Sequence, residues 1–127
     1  MRKQYHFRPS HRGLLAWDVD RLIQLTKDLL RIRVPLTTIR ELDEPFWFSN
    51  GDVPTCRAVA THARLMAEAD LDFPIILSSD GRVMDGMHRV TKAIMLGHAF
   101  IDAVKFEGDP EPDFVGVAPE ELPYDED

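Results

Sequence analysis

A single cysteine, Cys56, leaves this 127-residue chain no partner for an internal disulfide, which accords with a reducing compartment. No uninterrupted apolar run approaches the roughly 18 residues of a membrane span. The stretch from Met1 to Arg8 holds no apolar signal core, so the expectation is a cytoplasmic protein without membrane contact. The histidines His6, His11, His62, His88 and His98 never recur at the close spacing of a helical zinc site, which argues against a transition-metal centre. Basic residues are missing from the end of the chain: residues 107–127 carry nine acids and no Lys or Arg.

The formal net charge of -7 therefore comes from that end. Residues 1–106 carry 15 basic and 13 acidic groups, a balance compatible with phosphate ligands, whereas the acidic segment would repel extended nucleic acid. A hydrophobic content of 44% and this length suit one core. The expected organisation is a domain over residues 1–106 and an acidic tail over 107–127. Pro110, Pro112, Pro119 and Pro123 keep the tail extended, and Phe114, Val115 and Val117 are placed to anchor it. Its carboxylates are expected over basic surface, where they could compete with anions at Arg89 or Lys92.

Periodicity supplies the elements. Val19, Leu22, Ile23, Leu25, Leu29 and Leu30 form a helical stripe over residues 18–30, with Asp18 placed as the cap. Residues 32–42 near-alternate as a strand, which Pro35 confines to a strand start or an edge. Phe46, Trp47 and Phe48 precede a Ser49–Asp52 loop and either plug a core edge or line a pocket mouth, plugging being the better fit. Residues 55–69 read as a second helix with His62 on its apolar stripe, where a histidine is ordinarily a packed residue without a functional role. Residues 74–77 and 82–84 flank Asp80-Gly81, a hairpin signal. A helix ending at Gly97 and a strand over residues 99–106 follow.

Between that hairpin and the helix stands Asp85-Gly86-Met87-His88-Arg89. A glycine at such a turn lets backbone approach a ligand, and the helix start offers unpaired N–H groups and a positive dipole end. With His88, Arg89 and Lys92 beside it, the turn predicts a phosphate site formed by Gly86, Met87, His88, Arg89 and Lys92. Asp85 either holds a magnesium ion that arrives with a nucleotide or bonds its own turn.

The run from Phe73 to Gly97, with its Asp-Gly-x-His-Arg signature, resembles the ParB/sulfiredoxin superfamily over about residues 34–106. The spacing is closest to the free-serine kinase and sulfiredoxin branches. The resemblance implies an α+β fold, a small mixed sheet packed against helices, with an N-terminal helix and the acidic tail as additions. It also implies that the signature turn opens a helix beneath a nucleotide's phosphates. Sulfiredoxins carry a reactive cysteine immediately before the His-Arg pair; Met87 stands there, and a thioether cannot replace that nucleophile. In the serine-kinase branch an acid after the first core strand activates the acceptor hydroxyl, and Glu41 and Glu44 both occupy that stretch. With His88, they are the catalytic candidates.

Three functions follow as expectations. The first is a nucleotide-phosphate-binding domain, taking ATP, ADP or CTP with Mg, that transfers or hydrolyses phosphate. The second is a ParB-type nucleotide-switched DNA-binding module, disfavoured because the signature is not Arg-rich. Its support is the basic arm Arg2, Lys3, Arg8 and Arg12, which suits an oligomer contact as well. The third is a regulatory interaction protein without ligand. The partners to test are therefore a nucleotide and a homo-oligomer.

Overall fold

The computed structural model describes residues 3–48 and 51–124, so Ser49 and Asn50 of the expected loop lie outside the described residues. The fold is mixed α+β, with two small sheets and three helices among the described residues. Strands β1 (Tyr5–Arg8) and β2 (Leu15–Asp18) form an antiparallel hairpin, and helix α1 (Val19–Thr26) follows without a break. Asp18 is the cap, as expected: its carboxylate accepts from the Asp20 N–H.

Helix α1 is shorter than its stripe of leucines suggests. Val19, Leu22 and Thr26 are buried, but Leu25, Leu29 and Leu30 are exposed, so nothing apolar rewards another turn. The Leu29 N–H bonds the Thr26 carbonyl and closes a turn that aims the chain at β3 (Ile32–Pro35). The expected strand over residues 32–42 likewise stops at Pro35. There the Thr38 hydroxyl bonds the Pro35 carbonyl, and 3-10 turns at Leu36–Thr38 and Arg40–Asp43 fold Leu36, Ile39 and Glu41 inward.

Helix α2 (Cys56–Glu68) is capped by the Thr55 hydroxyl. Strand β4 (Ile75–Leu77) turns at Ser78–Arg82 into β5 (Val83–Asp85), helix α3 (Met87–Met95) starts after Gly86, and β6 (Phe100–Lys105) returns parallel to β4. The second sheet runs β3-β6-β4-β5, with β3 antiparallel at the edge where Pro35 belongs.

Alternation along these strands splits the core over both sheet faces. Ile75, Leu77, Val83, Ile101 and Ala103 pack with Met87, Val90 and Ala93 of α3. Ile76, Met84 and Val104 face the other way, onto Trp17 and Leu22 of the β2–α1 unit. The sheet is thus a middle layer with helix on each side.

The acidic tail supplies strand β7 (Phe114–Val115), which pairs with β2. The Trp17 indole N–H donates to the Pro110 carbonyl at 2.8 Å, Arg21 pairs with Asp113 at 3.1 Å, and Leu122 is buried. The carboxylates do lie over basic side chains, but these are Arg8, Arg12 and Arg21, not Arg89 or Lys92. Competition with an anion at those two residues therefore has no structural support.

Deleting residues 108–127 should lower unfolding stability by about 3 kcal/mol or more, because it strips an edge from β2 and uncovers Trp17. Urea unfolding checks this; an unchanged midpoint would mean that the segment is a detachable appendage.

Candidate functional site

The signature turn is held from below. Gly86 sits at φ +108°, a left-handed conformation that side chains other than glycine rarely adopt. A Cβ there would stand 2.7 Å from Ile75 Cγ2 and 3.2 Å from the Arg89 guanidinium carbon. Glycine is thus demanded twice, by the backbone and by packing against buried Ile75.

Arg89 does not reach outward as a free cation. Its Nη2 donates to Asp85 Oδ2 at 2.8 Å and its Nη1 to the Pro74 carbonyl at 2.7 Å, and the two side chains are 17% and 16% exposed. This clamp ties β5, the turn and the start of β4 together. Among the described residues Asp85 Oδ1 has no hydrogen-bond partner, and no group of three or more His, Cys, Asp or Glu could hold a metal. Lys92 points to α2, donating to the Ala67 and Ala69 carbonyls as a cap on that helix's end. The Met87 side chain is buried in the core, so only its backbone belongs to the turn. Of the five residues expected to hold phosphate, the Arg89 and Lys92 side chains are engaged in structure and the Met87 side chain is in the core, which leaves the His88 side chain and the turn backbone.

That backbone is open. Helices α1 and α2 have side-chain caps, whereas Gly86 offers none to α3. The first intrahelical bond runs from the Val90 N–H to the Gly86 carbonyl, and the N–H groups of Met87, His88 and Arg89 find no acceptor among the described residues.

His88 belongs to a three-ring stack. Its Nε2 lies 2.9 Å from Nδ1 of His62, one nitrogen donating and the other accepting. The Trp47 indole covers both imidazoles, at 4.3 Å from His62 and 4.6 Å from His88. Burial, and then the neighbouring His62, holds His88 at a pKa of about 4, and burial lowers His62 as well. His62 is thus a partner of the signature and not merely a packed residue. The sequence signal for this was available: His62 shares α2's inward stripe with Ala58 and Met66. Trp47 does both jobs considered for the aromatic run, packing on the core and lining a cleft.

That cleft, about 880 Å³, lies between β1, the Glu44–Trp47 segment and the Asp85–His88 turn. Lys3, Tyr5 and His6 line its far wall, residues that sequence reasoning did not connect to the signature. Lys3 is ion-paired with Asp18 at 3.0 Å, and that hydrogen bond raises its pKa. His6, tilted against the Trp17 ring, is lowered to about 4 by burial and then by the Arg8 charge. Glu44 borders the cleft but gives both oxygens to Arg82, at 2.9 and 2.7 Å. Glu41 is buried: its Oε2 accepts the Val83 N–H at 2.7 Å on the free edge of β5, and its Oε1 is enclosed without a partner. Of the two carboxylates considered as a base, the structure brings Glu44 to the cleft and makes Glu41 a support for the strand leading to the turn.

Gly86→Ala should cost about 1–3 kcal/mol more than Gly81→Ala, because Gly81 shares the positive φ but has nothing within 4 Å of a Cβ. Equal losses in urea unfolding would remove the packing argument. Stability should also fall as pH drops from 6.5 towards 4: His6 and His88 stay neutral in the fold down to about 4, whereas the unfolded chain takes up protons from about 6.5. Above 6.5 these groups contribute no slope. Unfolding midpoints at pH 7.5, 6 and 5 test the sign, and His88→Asn should flatten the curve.

No family model, no curated protein and no solved structure matches this chain, and the geometry of the turn and its cleft stands as the guide to its chemistry.

Proposed function

We propose that the protein is a nucleotide-phosphate-binding domain of ParB/sulfiredoxin-like fold, with the phosphates seated on the N-terminus of α3. One observation carries the reading: an uncapped helix start, whose first three N–H groups have no acceptor among the described residues, borders a cleft lined by aromatic rings. Such a helix start attracts anions through its N–H donors and its positive dipole end. A cleft of about 880 Å³ falls in the range of small-ligand sites. Phe46 and Trp47 supply flat surface for a base, and Tyr5 and Lys3 stand on the far wall, where the Lys3 ammonium already shares its charge with Asp18 and Asp20.

The Asp85–Arg89 pair serves the same end indirectly. Arg89 offsets a carboxylate that would otherwise repel phosphate, leaving Asp85 Oδ1 for the Mg that accompanies ATP, ADP or CTP. Phosphoryl transfer is the less supported half of the reading. Glu44 is committed to Arg82, and a His88 with a pKa of about 4 is a weak base at neutral pH. The proposal is accordingly one of binding, and catalysis would require Glu44 to leave Arg82. The DNA-binding alternative gains little from the arm: Arg8 and Arg12 face the carboxylates of Asp109 and Glu111, and Arg2 lies outside the described residues.

Titration with ATP, ADP and CTP in the presence of Mg, followed by calorimetry and by tryptophan emission of a Trp17→Phe variant that leaves Trp47 as the emitter, should show saturable binding of at least one nucleotide. Lys3→Glu should weaken it about tenfold, or on the order of 1.4 kcal/mol, without changing the unfolding midpoint by more than a surface ion pair allows. Absence of binding at millimolar concentrations of all three nucleotides would overturn the proposal.

A further inference from the structure

A second groove of about 600 Å³ opens on the other side of the signature turn and shares Gln4 and Asp85–His88 with the first. Its walls collect large apolar side chains that the fold leaves uncovered: Ile23 on α1 and Leu29 after it are 46% and 41% exposed, Leu65 on α2 is 38% exposed, and Phe73 at the lip is 62% exposed. Helix α2 has no fully buried residue, so this face has gained little from its own chain. Two charges of opposite sign line the groove from different helices, Lys27 at the end of α1 and Glu68 at the end of α2. Neither has a hydrogen bond or ion pair among the described residues, whereas Arg31 in the same groove is spent on the Asp72 carbonyl and Asp102, and Asp70 on the Asp72 N–H.

We propose that a second copy of this chain covers this groove through a two-fold contact, in which Lys27 of each copy meets Glu68 of the other and Phe73 of each enters the other's groove. A two-fold axis makes every contact twice, so one surface must carry both members of each pair. This surface does: a cation from one helix, an anion from another, and apolar side chains beside them. An apolar small molecule would cover the same side chains but leave both charges unmet, and a partner of one charge would satisfy one of them and repel the other. The contact is independent of the nucleotide reading. It would set a second chain beside Asp85–His88, so each turn would have one wall from its own hairpin and another from its neighbour.

Sedimentation equilibrium from micromolar to near-millimolar protein should show a monomer–dimer equilibrium. Lys27→Glu and Glu68→Lys should each weaken dimerisation by about tenfold or more, since each places like charges together at two points. An equimolar mixture of the two variants should recover it, because every reversed charge then faces its complement. Phe73→Ser should weaken it as well, and circular dichroism confirms that these surface variants stay folded. A chain that is monomeric throughout overturns the proposal, as does a dimer indifferent to Phe73→Ser, or a pair of charge variants that fails to recover on mixing. Capture of a small apolar ligand by a strictly monomeric protein would also overturn it.

Discussion

The site depends on one contact: the bare Cα of Gly86 resting on Ile75. That approach lets β5 end and α3 begin within one residue, and it brings the Arg89 guanidinium close enough to bridge Asp85 and the Pro74 carbonyl. Ile75 is fully buried at the centre of the larger core cluster, so the turn is seated on the least yielding part of the molecule. The open N–H groups above it are oriented by packing and not by a ligand. An anion arriving there would find the geometry already made, which spares the ordering cost that a floppy loop would impose.

Several ionic groups of the fold that holds that seat are paired locally. Arg82 holds Glu44, Arg21 holds Asp113, and Lys92 closes the end of α2. The strongly negative total therefore misdescribes the cleft, where the paired Asp85 and Arg89, the neutral imidazoles and the helix start leave a surface with little net repulsion for phosphate.

Features written within a few residues were legible in the sequence. Asp18 and Thr55 cap their helices because a cap acts on N–H groups two or three positions away. Gly86 and Gly97 are readable because each marks an abrupt change of backbone direction, and both have positive φ. The Asp85–Arg89 pair was legible in principle, being four residues apart, but an isolated Arg after a glycine reads equally well as a phosphate ligand. What escaped lay between distant segments. His62 meets His88 across 26 residues, Lys92 finds the carbonyls of another helix, and Glu41 bends into the core through a 3-10 turn that alternation had suggested was strand. Periodicity tells which face of an element is apolar; it does not tell which other element that face will meet.

Strand β2 takes its outer partner from residues 114–115, and the Trp17 indole finds its acceptor 93 positions later, at Pro110. On a ribosome adding about 5–20 residues per second, that partner emerges roughly 5–20 s after Trp17 does. During that interval the first hairpin has an open edge and an unbonded indole. The protein therefore completes its smaller sheet after most of the chain has been made, and the acids of the late segment reach Arg8, Arg12 and Arg21 when those arginines have long been exposed to other anions in the cell.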